Sequence, residues 1–130
     1  MSSIPEELRY TQDHEWARSE GDNIVACGIT DYAQEQLTDI VFVELPEMNR
    51  EVKQGEQIAV VESVKAISDV FTPASGKVVE INSSLEDSPE LINSDPYGEG
   101  WIFKIEASDK AELNILMDSA AYAEHIESEE

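Results

Sequence analysis

Two strand-like runs that meet at one lysine constrain the fold more than any other feature of this sequence. Residues 57–64 and 67–71 are rich in β-branched and aromatic side chains, and Lys65 lies in the short turn between them. The turn contains neither Gly nor Pro, but a type I turn accepts most residues at its central positions. The sequence therefore predicts a β-hairpin with Lys65 exposed at its tip.

A lysine at such a tip has two interpretations. An exposed amine on a rigid hairpin is a suitable substrate for an enzyme that attaches a cofactor to lysine. Lysine at a turn or sheet edge also has a simpler role, because its charge discourages edge-to-edge pairing with other chains. The hairpin alone does not decide between the two.

Composition limits the classes of protein that this chain can belong to. The chain has 130 residues, 29 acidic against 8 basic, and a formal net charge of −21. Such a field repels phosphate backbones and anionic lipids, so we expect no nucleic-acid and no membrane partner. The hydrophobic content of 41% is too high for a disordered chain. The lone Cys27 lies in an apolar run, where a thiol behaves as a small buried hydrophobe.

The same features predict one domain. A chain of this length buries a core without disulfides or metal. We expect a single domain over residues 1–130, with a core of about 10–122 and an acidic, frayed tail at 123–130. The start of the chain has neither the basic region and apolar core of a signal peptide nor the basic composition of a transit peptide. We therefore expect a cytoplasmic, bacterial-like protein.

The remaining pattern favours β structure with helices at the periphery. We predict a strand over 10–18 paired with a strand over 24–29, further strands over 40–45, 77–81 and 101–105, and an anchored loop over 82–100. A short helix is expected after Thr30 and Asp31, with Asp31 and Gln34 as a possible capping box. A second box at Asp109 and Glu112 precedes apolar residues at helical spacing over 113–121. The fold class predicted is mainly β, a sandwich or flattened barrel of two sheets with short peripheral helices and a C-terminal helical segment.

Several segments in register resemble the H-protein family of the glycine cleavage system. The matching segments are residues 28–34, 41–46, 62–66 with Gly76 downstream, 91–97 and 100–101. Together they span roughly residues 10–122 in the family's order and spacing. The resemblance implies the lipoyl/biotinyl hairpin fold, with lipoic acid amide-linked to Lys65. It also implies that Glu62, Ser63, Val64 and Ala66 present this lysine to a lipoate ligase or lipoyltransferase.

The resemblance further implies a non-catalytic carrier role. In this family the P protein decarboxylates glycine and loads an aminomethyl group onto the lipoyl arm. The T protein releases ammonia and passes the one-carbon unit to tetrahydrofolate, and the L protein reoxidises the dihydrolipoyl arm. Such an arm extends roughly 14 Å from the backbone, which lets it enter partner sites while the domain stays still.

Four residues are candidates for holding the loaded group on the carrier's own surface. An amine on the arm is cationic at neutral pH, and carboxylates can bind it through charge-assisted hydrogen bonds. The candidates are Glu15 and His14 in the His-Glu-Trp segment, Asp69 beside the lysine hairpin, and Asp13. This hypothesis requires Glu15 to face a cleft within reach of the Lys65 arm.

Two departures from the family pattern are visible. Thr38 and Asn49 stand where the resemblance leads us to expect glycines, at a helix end and in a loop. Asn tolerates the left-handed conformation and Thr does so poorly. The resemblance therefore does not determine the backbone conformation at Thr38.

Other functions remain open at this stage. A biotin carrier uses the same hairpin but brackets its lysine with methionines, whereas Val64 and Ala66 flank Lys65 here. A 2-oxoacid dehydrogenase lipoyl domain usually has aspartate before the lysine and is joined to linkers. An H-like relay that hands lipoate to other proteins would share the lysine. An enzyme using Asp13, His14 and Glu15 for acid-base chemistry is disfavoured, because strand neighbours point to opposite faces.

Overall fold

Two antiparallel sheets form the body of the molecule, seen in a computed structural model that describes residues 3–129. The larger sheet has six strands in the order β1-β2-β3-β9-β8-β5, and the smaller has three in the order β4-β6-β7. The strands are β1 Arg9–Tyr10, β2 Glu15–Ser19, β3 Ile24–Ile29, β4 Ile40–Glu44, β5 Glu51–Val52, β6 Gln57–Ser63, β7 Ile67–Phe71, β8 Gly76–Ile81 and β9 Phe103–Ala107. The predicted fold class is confirmed in its two-sheet form, because neither sheet closes into a barrel.

Short helices cover the periphery. They are α1 Asp31–Leu37, α2 Ser84–Asp87, α3 Leu91–Ser94, a 3-10 helix Lys110–Ile115 and α4 Ser119–Glu129. Helices α2 and α3 lie in the segment predicted as an anchored loop, and their residues Leu85 and Ile92 are fully buried. None of the helices described over residues 3–129 is long and apolar enough to cross a membrane.

The core lies mainly between the two sheets. Alternation along each strand sends one set of side chains inward. The inward residues include Val43 on β4, Val61 on β6 and Val70 on β7, which meet Val25 and Ile105 of the larger sheet in one buried cluster. A second cluster of Tyr and Trp side chains packs α4 against β1 and β2, with Tyr10 and Tyr122 stacked at 4.5 Å between ring centroids.

The predicted strand over 10–18 is wrong in its middle. The structure has two strands, β1 and β2, joined by a turn over residues 11–14. The Thr11 hydroxyl accepts hydrogen bonds from the backbone N–H groups of Asp13 (3.2 Å) and Glu15 (3.1 Å), and this local bonding competes with the ladder. His14 takes a left-handed conformation with φ 70°. Asp13 and His14 therefore lie outside the strand, and only Glu15 begins it.

Both predicted capping boxes differ from the structure. Thr30 is the N-cap of α1 and accepts from Ala33 N–H (3.2 Å), while the Gln34 side-chain oxygen accepts from the Asn93 amide (2.9 Å) instead of from a backbone N–H. Asp109 caps the 3-10 helix, but the Glu112 carboxylate accepts from Ser75 N–H and hydroxyl at 2.7 and 2.8 Å. In each case a hydrogen bond to a residue distant in sequence replaces the reciprocal hydrogen bond of the capping box.

The C-terminal helical segment is present but interrupted. Met117 exchanges two backbone hydrogen bonds with Tyr10, at 2.8 and 2.9 Å, and this bridge separates the 3-10 helix from α4. We expected the tail 123–130 to fray, whereas α4 runs to Glu129, whose carboxylate contacts His14 and His125. Residue 130 lies outside the described residues. Fraying in solution and the domain limits stay predictions.

Thr38 has a backbone conformation that is unusual for threonine. It ends α1 with φ 66° and ψ −147°, a region that β-branched residues rarely occupy. Its N–H donates to Gln34 O (2.9 Å) and its carbonyl accepts from the Asn93 amide (2.9 Å), so neighbouring groups hold the conformation in place. Asn49, the other departure, also has a positive φ, of 69°.

Replacing Thr38 with glycine is expected to stabilise the fold. Relief of the strained conformation outweighs the extra chain entropy of glycine, for a net gain of about 1 kcal/mol and a rise in melting temperature of about 4 °C. Thermal unfolding followed by circular dichroism measures this gain. Asn49→Gly is the matched control and should change stability by only a few tenths of a kcal/mol, because Asn already tolerates a left-handed φ. Equal effects of the two substitutions would contradict strain at Thr38.

Candidate functional site

The β6–β7 hairpin carries Lys65 at its tip, as the sequence predicts. Strand pairing ends at Glu62 and Ile67, and the chain turns between them. Ser63 builds the turn, because its hydroxyl oxygen accepts from Ala66 N–H (3.0 Å) and Lys65 N–H (3.3 Å) and its N–H donates to Ala66 O (2.8 Å). Hydrogen bonds from the backbone to a serine hydroxyl thus stabilise this turn, which has neither Gly nor Pro.

The tip is held against the rest of the protein. Val64 N–H donates to the carbonyl of Asp39 (3.0 Å), which lies just before β4. Lys65 is exposed, and none of the acidic groups described over residues 3–129 lies within ion-pair distance of its amine. The result is a fixed backbone that presents a free side chain.

Apolar side chains surround this lysine on the outer face of the smaller sheet. Phe42, Glu62 and Ile67 form one cross-strand row on that face. Phe42 is 51% exposed, Ile67 70% and the neighbouring Val64 66%. We call Phe42, Val64 and Ile67 the tip patch. Large apolar groups exposed together at one place are typical of a contact surface for another protein.

Asp69 lies on the same outer face, one row further from the tip. It pairs with Val60 and is exposed. Four residues of the turn and strand separate it from Lys65, which is at most roughly 13 Å at about 3.3 Å per residue. An arm that extends roughly 14 Å from the backbone reaches this distance when it lies along the strand. Of the predicted holding residues, Asp69 is exposed and lies within reach of an arm on Lys65.

Glu15 lies at the opposite end of β7 and does not face an open cleft. Its side chain is 2% exposed. One carboxylate oxygen accepts from the Thr11 hydroxyl, and the other accepts from the backbone N–H of Phe71 (3.1 Å). Because Glu15 begins β2 and Phe71 ends β7, this carboxylate joins the larger sheet to the edge strand of the smaller one. Burial is the main cause that raises the pKa of Glu15 to about 7, against the lowering effect of its two hydrogen bonds.

Asp13 and His14 diverge from each other and from the hairpin. Asp13 is exposed on the β1–β2 turn. His14 points toward α4, where its Nδ1 lies 2.8 Å from the Tyr122 hydroxyl and its Nε2 lies 3.0 Å from Glu129. The structure thus places Asp69 on β7 and the Glu15 carboxylate beside the far end of that strand. His14 has different neighbours.

Sequence reasoning missed three contributors to this site. Phe42 and Ile67 belong to the tip patch, and period-two alternation from Asp69 would have placed Ile67 on its face. Thr11 orients Glu15, and a threonine four residues before a glutamate is too common a pattern to indicate this. The tip residues Glu62, Ser63, Val64 and Ala66 do lie where the resemblance implies.

Comparison with known proteins finds one family over nearly the whole chain. The family model described as Glycine cleavage H-protein matches residues 8–129. The glycine cleavage system H protein of Symbiobacterium thermophilum is 63% identical over 122 residues, which is 94% of each chain. That of Marinobacter nauticus is 54% identical over 130 residues and the full length of both.

A solved structure agrees with the fold. The crystal structure of a glycine cleavage system H protein from Mycobacterium marinum superposes with a TM-score of 0.87 at 40% identity. It covers 95% of this chain and 99% of its own. The family match, the relatives and this structural neighbour all cover nearly the whole chain, and so the chain belongs to the glycine cleavage H-protein family.

Proposed function

We propose that this chain is the lipoyl-bearing shuttle of a glycine cleavage system, with lipoate amide-linked to Lys65. The observation that carries the proposal is the exposed amine at the tip of a fixed hairpin, in a chain of the H-protein family. It would connect the P, T and L proteins and receive its cofactor from a lipoate ligase or lipoyltransferase. The relatives are bacterial, and a cytoplasmic location is part of the same proposal.

The residues around Lys65 fit an amide-linked arm. The backbone is fixed on both sides of the lysine by Ser63 and by the Val64 to Asp39 hydrogen bond. The amine has no ion pair to break among the described residues, so a modifying enzyme meets it free. When bound, the lipoyl group supplies a disulfide that can be opened, loaded and closed again by partner enzymes. The chain's own contribution is to present, orient and retain the arm.

The tip patch supports recognition by partner enzymes. A modifying or partner enzyme must enclose the lysine, and burial of exposed apolar area contributes about 25 cal/mol per Å² to such contacts. Phe42, Val64 and Ile67 supply this area around the lysine, while Glu62 adds a charge within it. Acidic residues elsewhere give the chain its charge of −21, which steers it toward basic partner surfaces.

A lipoate relay is the second candidate. It would use the same lysine and would pass the lipoyl group on to other proteins. Nothing in the geometry of the tip distinguishes delivery of the lipoyl group from delivery of a group carried on it. The family match favours the glycine cleavage role.

Reconstitution tests the proposal directly. Lipoylated chain mixed with the P, T and L proteins, tetrahydrofolate, NAD+ as the electron acceptor and carboxyl-labelled glycine is expected to release labelled carbon dioxide and to support repeated turnover. The unlipoylated chain is the matched control and should give only background. Absence of turnover from the lipoylated chain would overturn the carrier role, and transfer of the lipoyl group to an acceptor protein in the same sample would favour the relay.

A further inference from the structure

The two histidines of this chain converge on one carboxylate, away from the tip patch. His14 comes from the β1–β2 turn, and His125 and Glu129 come from the last turns of α4. His14 Nε2 lies 3.0 Å from one oxygen of Glu129, and His125 Nε2 lies 2.8 Å from the other. We propose that His14, His125 and Glu129 form a binding site for a divalent transition metal, with zinc as the ion that their donor atoms fit best.

The spacing of the donor atoms fits a metal. One donor atom from each of the three residues lies within 4.8 Å of the other two. Ligands around a tetrahedral zinc, at about 2.0–2.1 Å from the ion, are roughly 3.3 Å apart. Small rotations of side chains on the protein surface close that difference. His125 and Glu129 are four residues apart on α4, which places both on one face of the helix.

The chemistry of the donors selects the metal. Two imidazole nitrogens with one carboxylate suit zinc and its neighbours in the first transition row, whereas magnesium and calcium prefer oxygen ligands alone. Three protein ligands leave a coordination position for water or for an outside group. The strong negative charge of the whole chain raises the local concentration of any divalent cation.

Hydrogen bonds behind the ligands support the assignment. His14 Nδ1 lies 2.8 Å from the hydroxyl of Tyr122, which lies 2.7 Å from the hydroxyl of Thr30. Tyr122 and Thr30 are both fully buried, so this chain of polar groups is fixed. With a metal on Nε2, the ring proton is on Nδ1, which donates a hydrogen bond to the Tyr122 hydroxyl. Such a hydrogen bond orients a metal-binding histidine. His14 itself has a left-handed backbone, with φ 70°, in the turn between β1 and β2.

A metal on the two Nε2 atoms replaces their direct contacts with Glu129 and one further contact. His125 Nε2 also lies 3.1 Å from the carbonyl of Gln12. A metal on that nitrogen replaces this hydrogen bond, and the exposed carbonyl can bond to water or to the metal. The site would tie the β1–β2 turn to the end of α4, so bound metal would stabilise the fold in proportion to its concentration.

Calorimetric titration of the EDTA-treated full chain with zinc chloride in excess magnesium tests the site. We expect saturable binding with one zinc per chain, and a rise in melting temperature on zinc addition. Glu129→Gln and His125→Asn should each weaken binding by at least about tenfold, since loss of a supporting residue alone costs that much at metal sites. Glu124→Gln, an exposed charge on the same helix, should change the affinity by less than about twofold.

Heteronuclear NMR of the histidine rings gives a second readout that does not depend on stability. Both ring spin systems should shift with zinc and not with magnesium in the wild-type chain. Zinc binding that survives both Glu129→Gln and His125→Asn, or that does not saturate at one per chain, would assign it to scattered surface carboxylates and overturn the proposal. No detectable binding by folded wild-type protein would overturn it equally.

Discussion

Lys65→Arg is expected to abolish lipoylation, and with it all glycine cleavage, while the fold stays intact. Arginine keeps the positive charge and the length, but its delocalised guanidinium is always protonated and does not form the amide. Lys65 is exposed and has no ion pair among the described residues, so the substitution should change stability by less than about 0.5 kcal/mol. Intact-mass measurement after incubation with lipoate, ATP and a lipoate ligase should show one added lipoyl group on the wild type and none on the variant.

Lys77→Arg is the matched control for this experiment. Lys77 is also exposed, but it lies on β8, outside the hairpin tip. It should accept one lipoyl group and support turnover like the wild type. A lipoyl group on Lys65→Arg, or its loss from Lys77→Arg, would place the attachment site elsewhere.

The position of Lys65 was predictable because the features that determine it are local. Strand propensity on both sides and a short polar turn between them specify a hairpin without reference to distant contacts. The same holds for the helix cap at Thr30, where the hydroxyl bonds to a backbone N–H three residues on. Gly76, part of the family resemblance, is explained by a close approach, since an added Cβ would collide with the backbone carbonyl of Glu106.

Features that depend on contacts between elements distant in sequence were not predictable from the sequence. Periodicity treats Glu15 as an ordinary strand residue, and its burial becomes visible only when β2 lies beside the end of β7. The bridge between Met117 and Tyr10 interrupts a helical pattern from more than a hundred residues away. The meeting of His14 with Glu129 has the same origin, because β1 and α4 pack through their aromatic side chains.

Glu15→Ala is expected to destabilise the protein by about 3 kcal/mol. The substitution removes the acceptor of the Phe71 backbone N–H and opens a small cavity where two sheets meet. Glu15→Gln keeps the volume and an oxygen acceptor, and its amide can donate to Thr11, so it should cost less than about 1 kcal/mol. Urea denaturation measures both. Asp13→Ala, at an exposed neighbour, should be neutral, and an alanine variant at Glu15 as stable as the wild type would show that the cross-sheet bond contributes nothing.

The glutamine variant also separates the structural role of Glu15 from the holding of cargo. Among the described residues no cation lies within ion-pair distance of this buried carboxylate, so a cationic amine brought by the arm would offset its desolvation. Phe71 is roughly 20 Å along the chain from Lys65, which puts the Glu15 carboxylate beyond the roughly 14 Å arm, whereas Asp69, at roughly 13 Å, lies just within it. We therefore expect Asp69→Asn to accept lipoate and to be reoxidised normally, but to lose the loaded group several-fold faster, whereas Glu15→Gln should keep the loaded group as long as the wild type does. Chains loaded with glycine that is labelled at its α-carbon, which stays on the arm after decarboxylation, and then separated from the P protein report this lifetime. A lifetime that is shortened by Glu15→Gln and unchanged by Asp69→Asn would contradict this assignment.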